Sequence, residues 1–161
     1  MAALGKWEFV RRVSGGTQSP WAVGVVAITS DEQIILITQF RVPVGRTCVE
    51  IPAGLVGDVS ETEGWKTAAL RELREETGYA AADAEWLTEG PTSAGLTSEL
   101  IALVRVTGVR YDGPPQPDGD EKIDVHVVPL AEVDQFLATR VAMGDLVDPK
   151  VYAALYFARS S

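Results

Sequence analysis

Gly57-Asp58-Val59-Ser60-Glu61-Thr62-Glu63-Gly64-Trp65-Lys66-Thr67-Ala68-Ala69-Leu70-Arg71-Glu72-Leu73-Arg74-Glu75-Glu76-Thr77-Gly78-Tyr79 concentrates acidic side chains on what its spacing predicts to be a helix, roughly Glu63 to Thr77. Ala68, Ala69, Leu70 and Leu73 give that helix an apolar face, and Gly78 stands where a C-terminal cap belongs. Glu72, Glu75 and Glu76 fall at i, i+3 and i+4, so their carboxylates leave one face within about one turn. Like charges at that spacing repel by roughly 0.2–0.5 kcal/mol per pair. Such a cluster needs either full solvation or a cation, and hard divalent ions such as Mg²⁺ favour oxygen ligands.

To either side of this helix the chain alternates apolar runs with turn signals. Ala22 to Thr29 reads as a buried strand, Ser30-Asp31-Glu32 as a turn, and Gln33 to Phe40 as a second strand, together a hairpin. Residues 7–13 suggest a further short strand. Val42-Pro43-Val44-Gly45 interrupts, because proline cannot donate to a ladder, and Cys48 to Ile51 is extended up to Pro52-Ala53-Gly54. After the helix, Glu85 to Leu87, Leu100 to Val106 and Ile123 to Val128 read as strands, and Leu130 to Thr139 and Pro149 to Arg159 as helices. Tyr111 to Gly119 is a loop rich in proline and glycine. Strands before, between and after few helices imply an α+β domain, layered as an α/β/α sandwich. No repeat or linker divides residues 1–161, so a single domain is expected.

Composition narrows the functional classes. The net charge of −9 argues against nonspecific nucleic-acid binding, which relies on a basic surface. A phosphate-bearing small molecule stays possible where metal ions neutralise it locally. The longest apolar runs fall short of a membrane span. Trp7-Glu8 stands where a signal peptide needs an apolar core, and the one cysteine, Cys48, fits a reducing compartment, so a cytoplasmic protein is expected. Cys48, between apolar neighbours, reads as a small buried residue.

The stretch from Gly57 to Tyr79 also resembles the Nudix box, Gly-x5-Glu-x7-Arg-Glu-U-x-Glu-Glu-x-Gly-U, where U is bulky and apolar. All its fixed positions are present, with Leu73 and Tyr79 as the U residues. The resemblance implies a Nudix fold, with a mixed β-sheet between helices, and a metal-dependent hydrolase that cleaves a diphosphate linked to another group. It implies Mg²⁺, with Mn²⁺ as an alternative, held by Glu72, Glu75, Glu76 and the backbone carbonyl of Ala53. Glu75 and Glu76 would also serve catalysis. Arg71 would hold the box carboxylates in place, and Glu63 would support them. One tension remains: Gly57 has the box spacing, whereas Gly54 follows Pro52-Ala53 as the box glycine does in many relatives.

Flanking residues resemble the ADP-ribose and ADP-sugar pyrophosphatases of that family. Gln39-Phe40-Arg41 with Pro43, and Val49-Glu50-Ile51-Pro52-Ala53-Gly54-Leu55, point to Arg41 and Glu50 as substrate-binding, although either also reads as a surface residue. Thr92 to Glu99 is similar to a small-Pro-Gly-Leu-Ser/Thr loop, with Ala94 in place of the proline, and implies Gly95 and Leu96 at the substrate; Glu99 reads equally as a solvated loop residue. The family's base toward the attacking water would fall on Glu121, with Asp120 and Asp118 as alternatives and a solvated acidic loop as the bland reading. His126, inside an apolar strand, reads as structural. Trp7, Trp21 and Tyr111 are aromatic candidates for stacking on adenine, while Trp65 and Trp86 read as packing residues. The resemblance also implies a homodimer, with residues 1–20 as its dimerisation segment.

The substrate so implied is ADP-ribose or a related nucleoside diphosphate sugar, split to a nucleoside monophosphate and a sugar phosphate. GDP-sugars, dinucleoside polyphosphates and oxidised nucleotides are the alternatives within the family. A domain that senses ADP-ribose without turnover is the alternative outside catalysis; such domains usually have a degraded box, and this box is intact.

Overall fold

The computed structural model describes residues 8–11, 21–60, 62–117, 119 and 122–160. The chain forms β1 (Trp21–Ala27), β2 (Gln33–Arg41), a 3₁₀ turn (Val42–Val44), β3 (Arg46–Glu50), β4 (Ala53–Leu55), α1 (Trp65–Thr77) and β5 (Tyr79–Ala80). It continues through β6 (Asp83–Pro91), β7 (Leu100–Thr107), β8 (Arg110–Tyr111), β9 (Ile123–Pro129), α2 (Val133–Ala142), β10 (Leu146–Val147) and α3 (Pro149–Arg159). The strands make two four-stranded sheets, ordered β4-β1-β7-β6 and β10-β3-β2-β9, and the small pair β5-β8. Both large sheets are mixed: β1 runs parallel to β7 and β10 parallel to β3, and the other pairings are antiparallel.

The predicted β1–β2 hairpin does not form. A single bridge, Ile28 to Ile34, and the Thr29 N–H to Gln33 carbonyl bond close the turn. The strands then part into different sheets, because each has both edges taken by other partners: β4 and β7 flank β1, and β3 and β9 flank β2. The hairpin that exists is β2–β3, through the proline-bearing 3₁₀ turn and Gly45, whose φ of 62° suits glycine. Within the predicted strand 7–13, the described residues 8–11 contribute one bridge, Val10 to Thr97.

Side-chain alternation places two apolar layers on the two faces of these sheets. Val23, Val25, Ala27, Ile35, Ala102 and Val104 meet Ala68, Ala69 and Leu73 of α1. Val26, Ile34, Leu36, Val49 and Leu103 meet Val133 and Leu137 of α2 and Val151, Ala154 and Leu155 of α3. That is the α/β/α sandwich. Each large aliphatic side chain fully buried there contributes about 1.5–3 kcal/mol. The alanines of α1 let its backbone lie close to β1, which brings the acidic face of the helix to the ends of the strands.

Gly78 ends α1 with φ 76° and donates its N–H to the Arg74 carbonyl at 3.0 Å. A Cβ there would stand 2.1 Å from the Gly113 carbonyl oxygen, so the following loop packs where a side chain would be.

Candidate active site

Arg71 is the hub of the acidic face. Its Nε and Nη2 donate to Glu63 at 2.9 and 3.2 Å, and its Nη1 reaches Glu75 at 2.8 Å and Glu72 at 2.9 Å. Nη2 also donates to the Leu55 carbonyl at 3.3 Å. Glu76, buried, accepts the Ala53 N–H at 3.0 Å, which fixes the helix against β4. Ala53 is in turn set by β1, paired with Gly24, and the neighbouring Pro52 carbonyl accepts the Val25 N–H at 2.8 Å.

Two glycines divide the work that the box spacing left ambiguous. A Cβ on Gly54 would stand 1.9 Å from the Glu72 carboxyl, so Gly54 opens the space in which Glu72 lies. Gly57 has φ 86° and donates its N–H to Glu63 at 3.1 Å, so it shapes the turn that seats the Glu63–Arg71 pair.

The same arginine leaves two glutamates with opposite acidities. Glu63 is held below its ordinary pKa, chiefly by its hydrogen bonds from Arg71, with the Gly57 N–H adding to them. Glu72 is pushed up to about 7, because burial outweighs its attraction to Arg71 and the Glu75 charge adds repulsion. By surface exposure Glu63 is the more covered, at 5% against 12%, but Glu72 lies deeper among protein atoms and shares only one arginine nitrogen. Arg71 itself is held further above its normal range by Glu63 and Glu75.

Glu72 and Glu75 border a cleft of about 320 Å³, with Arg71 and Glu63 behind them. One wall comes from α1 and the loop before it: Glu72, Glu75, Glu76, Ala53, Gly54, Leu55 and Asp58. The other comes from strand and loop ends: Arg41, Glu50, Thr92, Glu99, Ile101, Pro117 and Lys150. Arg41 and Glu50 form a fork, Nε to Oε1 at 2.7 Å and Nη2 to Oε2 at 2.6 Å, with Glu50 almost wholly buried and Arg41 partly open. Bidentate pairs of this kind fix orientation as well as charge.

The structure therefore gathers Glu72, Glu75, Glu76, Ala53, Arg41 and Glu50 at one cleft, with Arg71 supporting it. Gly95 and Leu96 stand apart from it. Ser93 accepts N–H bonds from Leu96 and Thr97, both at 3.0 Å, and the Leu96 side chain is exposed while its carbonyl accepts the Val10 N–H. The same loop instead presents Thr92 and Glu99 to the cleft. Glu121, Asp120 and Asp118 lie outside the described residues, as do Trp7 and the side chain of Trp21. Tyr111 packs edge-on against Tyr79, away from the cleft lining. His126 bonds Thr38 Oγ1 at 3.0 Å and packs on Phe136, and burial lowers its pKa; it takes no part in the cleft. Trp65 and Trp86 pack edge to face beside the α1 core layer. The sequence singles out none of Asp58, Thr92 and Lys150: Asp58 falls on an undefined position of the box, Thr92 on the edge of the family-like loop, and Lys150 far along the chain from both.

The donor set suits a hard divalent cation. Glu63, Glu72 and Glu75 bring three carboxylates to one arginine and Glu76 adds a fourth from the same helix face, an excess of negative charge that is partly buried and entirely oxygen. Among the described residues no three such groups already converge as a closed ligand cluster. Glu72 and Glu75 are drawn to Arg71, and Glu76 to the Ala53 N–H, so a cation would compete with those contacts.

The NUDIX domain family model matches residues 18–153, and the chain belongs to the Nudix family of hydrolases. It is 34% identical over 139 residues to an ADP-ribose pyrophosphatase of Bacillus subtilis, covering 86% of this chain and 71% of that one. It is 35% identical over 157 residues to an ADP-sugar pyrophosphatase of Mus musculus, covering 91% and 71%. A methanol dehydrogenase activator of Bacillus methanolicus is 38% identical over 119 residues, covering 73% of this chain and 63% of its own length. In fold, the chain is similar to a solved ADP compounds hydrolase, with TM-score 0.69 and 24% identity over 89% of this chain and 72% of that one. Among the described residues no helix is long and apolar enough to cross a membrane.

Proposed function

We propose that this protein hydrolyses the diphosphate bond of ADP-ribose or a related nucleoside diphosphate sugar, giving a nucleoside monophosphate and a sugar phosphate. The observation that carries this reading is the pairing of two walls in one cleft: carboxylates gathered by Arg71 on one side, and the Arg41–Glu50 fork on the other. The names of the pyrophosphatase relatives support the substrate class.

Glu72, Glu75, Glu76 and the Ala53 carbonyl would hold Mg²⁺, or Mn²⁺ in its place. A cation held there would supply charge neutralisation of the diphosphate and greater acidity of a nearby water. Arg71 keeps the carboxylates in a fixed array. Arg41, oriented by Glu50, meets a phosphate oxygen of the substrate. The base toward the attacking water is Glu121, with Asp120 or Asp118 in that role if Glu121 proves dispensable. The protein acts in the cytoplasm as a homodimer in which residues 1–20 join the subunits, and it binds neither nucleic acid nor membrane.

The test is a panel of nucleoside diphosphate sugars, dinucleoside polyphosphates and nucleoside triphosphates, each with Mg²⁺ and with products identified chromatographically. Fastest turnover of ADP-ribose or an ADP-sugar, with no release of inorganic pyrophosphate, is the expected result. Preferential release of pyrophosphate from triphosphates would overturn the substrate assignment.

A further inference from the structure

Lys150 enters the cleft from the far end of the chain, and its backbone is fixed at several points. β10 runs beside β3, pairing Leu146 with Cys48 and Val147 with Val49. The Asp148 N–H extends that ladder to the Val49 carbonyl at 3.0 Å, one residue before Glu50. Asp148 then caps α3, its Oδ1 accepting the Lys150 N–H at 2.8 Å, and Pro149 presets the first turn. Val151, fully buried, locks the helix to the core. The start of α3 is thus held in register with the strand that ends in Glu50.

The charge around Lys150 is lopsided. Among the described residues, Glu50, Asp58, Glu72, Glu75, Glu76 and Glu99 line the cleft, against two cations, Arg41 and Lys150. Arg41 commits two nitrogens to Glu50. The Lys150 ammonium contacts Asp148 Oδ2. It carries three donors, so one such contact leaves capacity for another acceptor. The carboxylate wall repels an anion wherever a cation does not intervene, so an anionic ligand is best placed where Arg41 and Lys150 can reach it.

We propose that Lys150 is a substrate-positioning residue, whose ammonium is held by Asp148 and donates to a phosphate oxygen of the bound nucleoside diphosphate. This rests on the diphosphate-hydrolase reading above. The contact is made alike in the ground state and during bond cleavage, so it governs binding more than turnover.

Three variants test it. Lys150→Met keeps most of the aliphatic stem and removes the charge. Lys150→Arg keeps the charge, and Asp148→Asn keeps an N-cap while releasing the ammonium. Lys150→Met is expected to raise KM about ten-fold, as the loss of a charge-assisted hydrogen bond does, with kcat within about two-fold. Lys150→Arg restores most of the affinity, and Asp148→Asn leaves KM at or below the wild-type value. A second readout uses ADP as the diphosphate probe in EDTA: Lys150→Met weakens its calorimetric Kd by about the same factor. If Lys150→Met lowers the melting temperature but leaves both KM and the ADP Kd unchanged, Lys150 only anchors α3 and the proposal is wrong. If the wild-type protein cleaves no diphosphate yet ADP binding still depends on Lys150, the hydrolase reading fails and the phosphate contact stands.

Discussion

The two walls of the cleft are built in opposite ways. The α1 wall takes its acidic groups from one helix and the loop that feeds it, and a single arginine ties Glu63, Glu72 and Glu75 together. The other wall is assembled from the ends of β2 and β3, the loop before β7 and the start of α3, which contribute Arg41, Glu50, Glu99 and Lys150. The first is saturated with negative charge; the second holds the cations. A wall built on one helix keeps its geometry as long as that helix stays docked. A wall made of strand ends depends on the register of both sheets.

If the α1 wall carries the chemistry, Glu76→Gln should cost the most. Turnover with Mg²⁺ should fall about a thousand-fold, because a metal ligand supplies several kcal/mol of charge stabilisation in the transition state. Steady-state kinetics of the purified variant measure this directly. Arg41→Ala should act differently, raising KM well above its effect on kcat, since that wall serves binding.

Arg71→Ala should be the most destabilising change at the site. It leaves three neighbouring carboxylates without their counter-ion in a largely covered position, and breaking such a network costs roughly 3 kcal/mol. Urea denaturation in EDTA should show that loss. Arg41→Ala strips one buried carboxylate, Glu50, of its fork where Arg71→Ala strips three, and should lose less, roughly 1–2 kcal/mol. Equal losses would mean that the two walls are not built differently.

The two glycines separate geometry from stability. Gly54→Ala drives a methyl group into the Glu72 carboxyl and should lower kcat by about ten-fold or more while the fold survives, since a displaced group costs catalysis heavily. Gly57→Ala forces a side chain into a left-handed backbone and should cost about 1 kcal/mol of stability with a smaller kinetic effect. Melting temperature and kcat measured on both variants test the pair.

How much of this was legible in the sequence follows the same division. The helix from Trp65 to Thr77, its Gly78 cap and the three carboxylates on its one face could be read from spacing, because a helix fixes side-chain direction locally. Helix α3 was predicted with the observed bounds, aided by Pro149 at its start. The β1–β2 hairpin was misread because turn signals report that a chain reverses, not whether the strands stay paired. Only the tertiary fold shows that both edges of each strand are already occupied. Lys150 was invisible for a related reason: its place in the cleft depends on two residues of β10 pairing with β3, a contact about a hundred residues apart in sequence. In the loop at 92–99, motif likeness located the segment, and the structure adds that Thr92 and Glu99 line the cleft.

The smallest expected effect is on pH-dependent stability. Glu72 has a folded-state pKa of about 7, above its ordinary 4.5. Between those values the folded protein binds more protons than the unfolded chain, so this residue's contribution makes stability fall as pH rises from about 4.5 through about 7. In EDTA, the melting temperature of the wild type should therefore drop more between pH 5 and 8 than that of Glu72→Gln. A matching drop in both proteins would show that Glu72 is not the group responsible.

The most direct test of the central claim is to incubate the purified protein with ADP-ribose and Mg²⁺ and identify the products by anion-exchange chromatography, with Glu76→Gln alongside. The wild type should give AMP and ribose 5-phosphate in equal amounts, and the variant almost none. Full activity in Glu76→Gln, or no cleavage of any nucleoside diphosphate sugar by the wild type, would contradict it.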